Sequence, residues 1–524
     1  MKRILAVWMM LVCLSLLVCG TGCHSDATTG DKTIRITLDT MPDNLDPQLA
    51  ESDETLLLVR NAFEGLFRAD GGEILPAACE QYRVSEDGLT YTFTLREGLT
   101  WSDGSPLTAA DFRFGLMRAL RPETQAPNAE RLLRIVNAAE VLAGTADEAT
   151  LGIEAKDDRT LVIRLTQRDD SLPETLTYAM TMPCKESLFL QAAGRYGMTA
   201  KQILFNGPFA LSQWDESTLR LTRNDCYVGA FPAKPAAVVL RFGGTDNERI
   251  ESVNNDFTDL IALNTQSATV AEDARLSVRL FQDTTWLTLI NPEASVLGDP
   301  AVSEAFRTAL GADLLEGNLP DHFQPTARII ADDLLVGTDR YRDLVSQPSE
   351  SSARPAEAKA KLIAALKPYG GSLPAITLLY ADVDGMRHTA NLIAQHFQKE
   401  LGAVVNIEAR SIADLVRAVE SQEYQLALCP IAAVNGKAQT QLRNYLVAMG
   451  AGEDMLSRLD AVSDLDADAA AEAIRKLERD ALADSHVFPV AQSGRCFAMT
   501  DALTDVQPDL CQGLIALYRA GKRA

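Results

Sequence analysis

Between Leu89 and Leu95 the chain alternates strictly: Leu89, Tyr91, Phe93 and Leu95 fall on one side, and Thr90, Thr92 and Thr94 on the other. Period two is the mark of a half-buried strand. The Trp101-Ser102-Asp103-Gly104 turn follows, and Thr108 with Asp111 forms a capping-box signature that opens a helix from Ala109 to about Leu120. Strand and helix periods thus meet within a few turns of chain, which restricts the fold to mixed α/β. The same mixture recurs near the far end, where strands Thr377–Tyr380 and Val404–Glu408 flank a helix from Asp384 to Leu401 in a βαβ-like unit.

Other segments obey the same two periods. Strands are expected at Thr33–Leu38, Thr160–Leu165, Thr218–Arg223 and Ala237–Phe242. Helices are expected from Asp53 to Leu66, ending near Arg68, and at Val302–Leu310, Ala356–Leu366 and Ala467–Ala483. With 524 residues, the chain exceeds what one hydrophobic core can serve, so two or more lobes are expected. Ser346 to Pro355 is the most linker-like stretch. Hydrophobic residues make up 47% and mean hydropathy is -0.04, which is the ordinary globular range.

The N-terminus carries an export signal. Lys2 and Arg3 precede an apolar run from Ile4 to Cys19, too short for a comfortable membrane span. Gly20, Thr21 and Gly22 then lead into Cys23, the pattern of a bacterial lipobox with glycine in place of the usual leucine. Residues 1–22 are read as a signal peptide, Cys23 as the lipid-attachment site, and 23–32 as a polar tether. Two acyl chains on one thiol make a stable anchor where one chain would not.

Composition excludes some partners. A formal charge of -23 argues against nucleic acid, which needs a basic surface. Cys79, Cys184, Cys226, Cys429, Cys496 and Cys511 show no C-x-x-C spacing, so no metal cluster is implied and their pairing is left open. The five histidines do not cluster, and G-x-S-x-G, H-E-x-x-H and P-loop motifs are all missing. Asp464, Asp466 and Asp468 imitate the start of a calcium loop, but Ala469 and Arg475 occupy its glycine and final glutamate positions; a helix N-terminal acidic turn is the simpler reading. No enzyme, cofactor or metal is indicated.

Three groups of segments carry a resemblance. The first is Asn44-Leu45-Asp46-Pro47 with Asn61-Ala62-Phe63-Glu64-Gly65-Leu66. The second runs from Val84 through Arg96, Trp101-Ser102-Asp103-Gly104 and Leu107 to Phe112, to Arg121-Pro122-Glu123-Thr124. The third is Asn206-Gly207-Pro208-Phe209, Trp214 and Arg223-Asn224-Asp225-Cys226-Tyr227. In this order they resemble the oligopeptide- and dipeptide-binding family of ABC-importer receptors, extracellular solute-binding protein family 5.

That resemblance implies a periplasmic-binding-protein-like clamp of type II: two major α/β lobes plus a smaller intermediate lobe, closing on ligand. Carried onto this chain, lobe I is 33–63, 187–281 and 489–524, the extra lobe II is 64–186, and lobe III is 282–488. The function implied is capture of small peptides by a monomer, lipid-anchored on the extracytoplasmic face of the cell membrane, and delivery to the importer's permease subunits. A non-peptide solute (nickel chelate, opine or sugar) or a peptide signal on the same fold is the alternative, and an anchored hydrolase is the remotest.

Glu51 stands where the family places an acid against the peptide backbone. Asn128 and Trp286 are ligand-binding candidates from position alone. The family's acid for the peptide α-ammonium has no counterpart: Cys429-Pro430-Ile431-Ala432-Ala433-Val434-Asn435 contains neither Asp nor Trp, and Asn435 is the polar side chain left as a candidate. A peptide's ammonium end is therefore expected not to be clamped there, with Asp382 or Asp384 in that role as the alternative.

Overall fold

A computed structural model describes residues 33–70, 73–264, 267–315, 317–319, 323–346, 352–383, 385–433, 436–483, 486–506 and 514–523. Its frame is one 11-stranded mixed sheet. From one edge, the strands run Val405–Arg410, Ile376–Ala381, Leu426–Ala432, Ser277–Ile290, Val487–Met499, Leu260–Leu263, Thr33–Leu38, Ala237–Phe242, Thr218–Arg223 and Phe209–Trp214, with Gln324–Pro325 paired alongside Val487–Met499. A second, four-stranded sheet of Cys79–Val84, Thr90–Leu95, Thr160–Arg164 and Ile153–Ala155 is antiparallel throughout.

The βαβ arrangement is present with bounds shifted by a residue or two: Ile376–Ala381 and Val405–Arg410 pair in parallel around the helix Met386–Leu401. Gly402, in the left-handed region, ends that helix. The helix predicted from Asp53 to Leu66 stops earlier, at Ala62, and needs correction. Phe63 takes an extended conformation, and Phe67–Asp70 becomes a strand paired with Glu73–Pro76. Asp466 caps the helix Ala467–Leu482 by accepting from the Ala469 N–H at 2.9 Å, which is the structural use of the acidic turn.

Burial is divided among separate cores. One runs from Ile34 to Leu260 and takes in the four-stranded sheet, with Phe497 to Ala520 packed into it. A second runs from Trp286 to Ala491. The two long antiparallel strands Ser277–Ile290 and Val487–Met499 pass from one region to the other. Trp286, Leu287, Val490 and Ala491 lie in the second core, whereas Phe497 and Met499 lie in the first. Where they cross, the pairing slips between Gln282 and Thr284. Gly494 sits there, and a Cβ on it would approach the Phe281 carbonyl oxygen to 1.9 Å, so only glycine lets the strands come this close.

Cys79, Cys184, Cys226, Cys429 and Cys496 are not joined in disulfides, and Cys511 lies outside the described residues. Among the described residues no helix is long and apolar enough to cross a membrane.

Candidate functional site

The Asn44-Leu45-Asp46-Pro47 motif anchors the segment that leads into one wall of a cleft. Asp46 caps the short turn Pro47–Leu49 and pairs with Arg118, whose Nη2 reaches Oδ2 at 2.6 Å, with both side chains buried. Gln48, fully buried, donates to the carbonyls of Met180 (3.1 Å) and Met182 (2.9 Å). Paired and hydrogen-bonded in this way, the three buried polar side chains tolerate loss of water. The chain leaving this knot is thereby fixed, and it carries Ala50, Glu51 and the start of the helix Asp53–Ala62. Ser52 caps that helix through the Thr55 N–H.

Asn206 makes a matching clasp on the Glu64 backbone, accepting from its N–H at 3.1 Å and donating to its carbonyl at 2.7 Å. Trp101 is fully buried, and Gly104 closes the turn behind it. These motif residues shape the scaffold and lie outside the cleft lining.

The cleft itself measures about 480 Å³ and is lined from well-separated stretches of chain. Ala50, Glu51, Asp53 and Leu56 contribute from the first wall, Pro127, Asn128 and Tyr178 to Met180 from the second, and Asp283, Thr284, Ala432 and Ala433 from the third. Arg495 and Leu514 complete it. Its volume falls in the range of small-molecule and short-peptide sites. Glu51 and Asn128 are therefore brought together although they are remote in sequence. Asn128 adopts φ 65°, a left-handed conformation that asparagine tolerates well, and makes no side-chain cap to the turn it precedes.

Trp286 stands apart. It is 5% exposed; its Nε1 donates to Ser493 Oγ at 2.8 Å, and its ring meets Phe323 edge-on at 5.6 Å. Thr284 lines the cleft, whereas Trp286, two residues further along the strand, lies beyond it and packs into the second core. Asn435, Asp384 and Cys23 lie outside the described residues, and Asp382 is not among the cleft-lining side chains.

Sequence reasoning missed the charged group at the cleft base. Arg495 pairs with Asp53 through Nε at 2.7 Å and with Asp283 through Nη1. Burial pushes the Asp283 carboxyl above its ordinary range, and Arg495 opposes that shift. The two carboxylates hold the Arg495 guanidinium protonated, above its ordinary value, against the burial that disfavours its charge. No signal of spacing announces the group: its members come from a helix start and two crossing strands. The cleft lining includes three carboxylates, Glu51, Asp53 and Asp283, and one cation, Arg495, so carboxylates outnumber cations there. Among the described residues, no three His, Cys, Asp or Glu side chains are placed to hold a metal ion.

A two-core α/β molecule with a ligand-sized cleft beside its crossing strands has the build of a solute receptor. Residues 44–452 match the family of bacterial extracellular solute-binding proteins, family 5, and the chain belongs to that family. It is a binding protein rather than an enzyme. The chain is 27% identical over 422 residues to the oligopeptide-binding protein OppA of Bacillus subtilis, spanning 78% of this chain and 76% of that one. It is 39% identical over 176 residues to the probable deoxycholate-binding periplasmic protein YgiS of Escherichia coli, a match covering only 33% of each chain.

Solved structures share the fold. Peptide-bound OppA of Listeria monocytogenes superposes with a TM-score of 0.71 at 20% identity, covering 95% of this chain and 100% of that one. The murein tripeptide binding protein MppA of Escherichia coli gives 0.71 at 19% identity, covering 94% and 99%. The expected periplasmic-binding-protein-like α/β fold is thus established.

Proposed function

We propose that this protein is the solute receptor of an ABC importer, that it captures short peptides in the cleft lined by Glu51, Asn128, Asp283 and Ala433, and that it hands them to membrane permease subunits. The observation that carries this reading is the convergence of three walls, drawn from stretches of chain remote in sequence, on one cavity of about 480 Å³. The oligopeptide-binding relatives supply the ligand class. Tethering through a diacylglycerol on Cys23, after removal of residues 1–22, would hold the monomer on the extracytoplasmic face.

In this account 33–63, 187–281 and 489–524 form one lobe, 64–186 an accessory lobe and 282–488 the other major lobe. The crossing strands at Gln282–Thr284 and Gly494 then act as the hinge on which the lobes close. The missing acid after Tyr424 is replaced from the cleft base, where Glu51, Asp53 and Asp283 outnumber Arg495 and favour a ligand's ammonium end. An anionic amphiphile such as a bile acid fits this lining poorly, because an unpaired carboxylate would meet like charge away from bulk water. Mass spectrometry of small molecules released from the purified, denatured protein tests the reading. Peptides are expected; a bile acid or sugar in their place would overturn it.

A further inference from the structure

Away from the crossing strands, a second contact joins the walls of the cleft. Lys437 Nζ pairs with Glu174 Oε2. Glu174 lies on the short helix Leu172–Thr175, just ahead of Tyr178, Ala179 and Met180, which form one wall. Lys437 immediately precedes the helix Ala438–Ala448 and follows Ala432 and Ala433, which form another wall. The Glu174 side chain is only 15% exposed and that of Lys437 36%.

Both ends of this pair are braced. The Gly436 N–H donates to the Ala433 carbonyl at 3.1 Å, and its own carbonyl accepts from the Leu335 N–H at 2.7 Å. Thr177 donates to the Glu174 carbonyl through both its N–H (2.9 Å) and its hydroxyl (2.8 Å). Beside the ion pair, Leu335, 1% exposed, packs on Ala69 and Ile74, so an apolar contact spans the same gap.

We propose that the Lys437–Glu174 pair, seated on the Leu335–Ala69 contact, is a latch that sets how much of the protein is closed. It touches no ligand: it is a positioning device that fixes the spacing of the Tyr178–Met180 and Ala432–Ala433 walls. This rests on the reading that the cleft holds the ligand. A pair with one partner largely buried is screened less by salt than a fully exposed one. Apparent affinity falls in proportion to the population competent to bind, so weakening the latch weakens binding without altering a ligand contact.

The test uses K437E, E174K and the doubly reversed K437E/E174K protein, with the neutral K437M as a fourth variant in case a reversal does not fold. Small-angle scattering without ligand reads closure, and calorimetry with a tetrapeptide reads affinity. Each single change is expected to enlarge the ligand-free radius of gyration and to weaken binding about fivefold. The double reversal should restore both to within about twofold of wild type, as coupled neighbours do. Unchanged radius and affinity in the single variants, or a double reversal no better than the worse single, would overturn the latch. Failure of the wild type to bind any peptide would strike the ligand reading instead, while scattering would still report on the latch.

Discussion

Arg495 holds Asp53 in a two-pronged grip, Nε to Oδ2 at 2.7 Å and Nη2 to Oδ1 at 2.9 Å, while Nη1 takes Asp283. The fork matches guanidinium to carboxylate geometry and ties a crossing strand to the first turn of the helix Asp53–Ala62. Removing the cation leaves Asp283, largely buried, without its partner. Arg495→Ala should therefore cost about 2 kcal/mol of stability, the scale of a charged hydrogen bond lost from a half-buried site. Arg495→Lys keeps the charge without the fork and should fall between. Urea denaturation checks both, and an Arg495→Ala midpoint equal to wild type would refute the role.

Selectivity for the ligand's charged end follows from the excess of carboxylates. One peptide, free and N-acetylated, should differ in affinity, and Glu51→Gln should narrow that difference. Pairing an ammonium with a desolvated carboxylate is worth roughly 2 kcal/mol, so acetylation is expected to weaken binding by more than about tenfold in calorimetry. Equal affinity for both forms would mean that the acid missing after Tyr424 has no substitute.

Local periodicity made much of the scaffold legible. Thr33–Leu38, Thr218–Arg223 and Ala237–Phe242 form strands with the expected bounds, because each packs one side and alternates accordingly. The helix at Asp53 ran too long in sequence because Phe63 and Leu66 continue the helical spacing, although Phe63 is already extended and Leu66 is buried from the bend that follows. The strands Ser277–Ile290 and Val487–Met499 escaped notice. Each is paired on both edges and buried by different cores along its length, so no steady alternation marks it. For the cleft lining, Glu51 was legible through the resemblance and Asn128 through its position in a loop, whereas the group of Asp53, Asp283 and Arg495 exists only once the strands cross.

Glu478 offers a pH test of the second core. Burial raises its carboxyl above the ordinary 4.5, although Oε1 accepts from the N–H groups of Ile329 (2.8 Å) and Ile330 (2.9 Å) and Oε2 from Tyr341. The folded state thus favours the protonated form. Its contribution is present below the unfolded value and is lost as pH rises through the folded one. Glu478→Gln keeps an acceptor but cannot ionise. Its melting temperature should gain on wild type as pH rises above the ordinary carboxylate value of 4.5, and a difference that stays constant through that rise would contradict the shift.

Anchoring is tested at Cys23. Cys23→Ala removes the thiol that would carry two acyl chains, and the protein should move from the detergent phase to the aqueous phase on phase separation. Continued partition with detergent would place the anchor elsewhere.

The most direct test of the account fills the cleft. Ala432 is an exposed side chain on its wall, so Ala432→Trp adds bulk without disturbing a packed core. Calorimetry with short peptides should show one saturable site in wild type, weakened by more than about a hundredfold in Ala432→Trp, with the melting temperature of the ligand-free protein unchanged. Peptide binding of equal strength in both proteins would contradict the claim that this cleft is where the ligand is held.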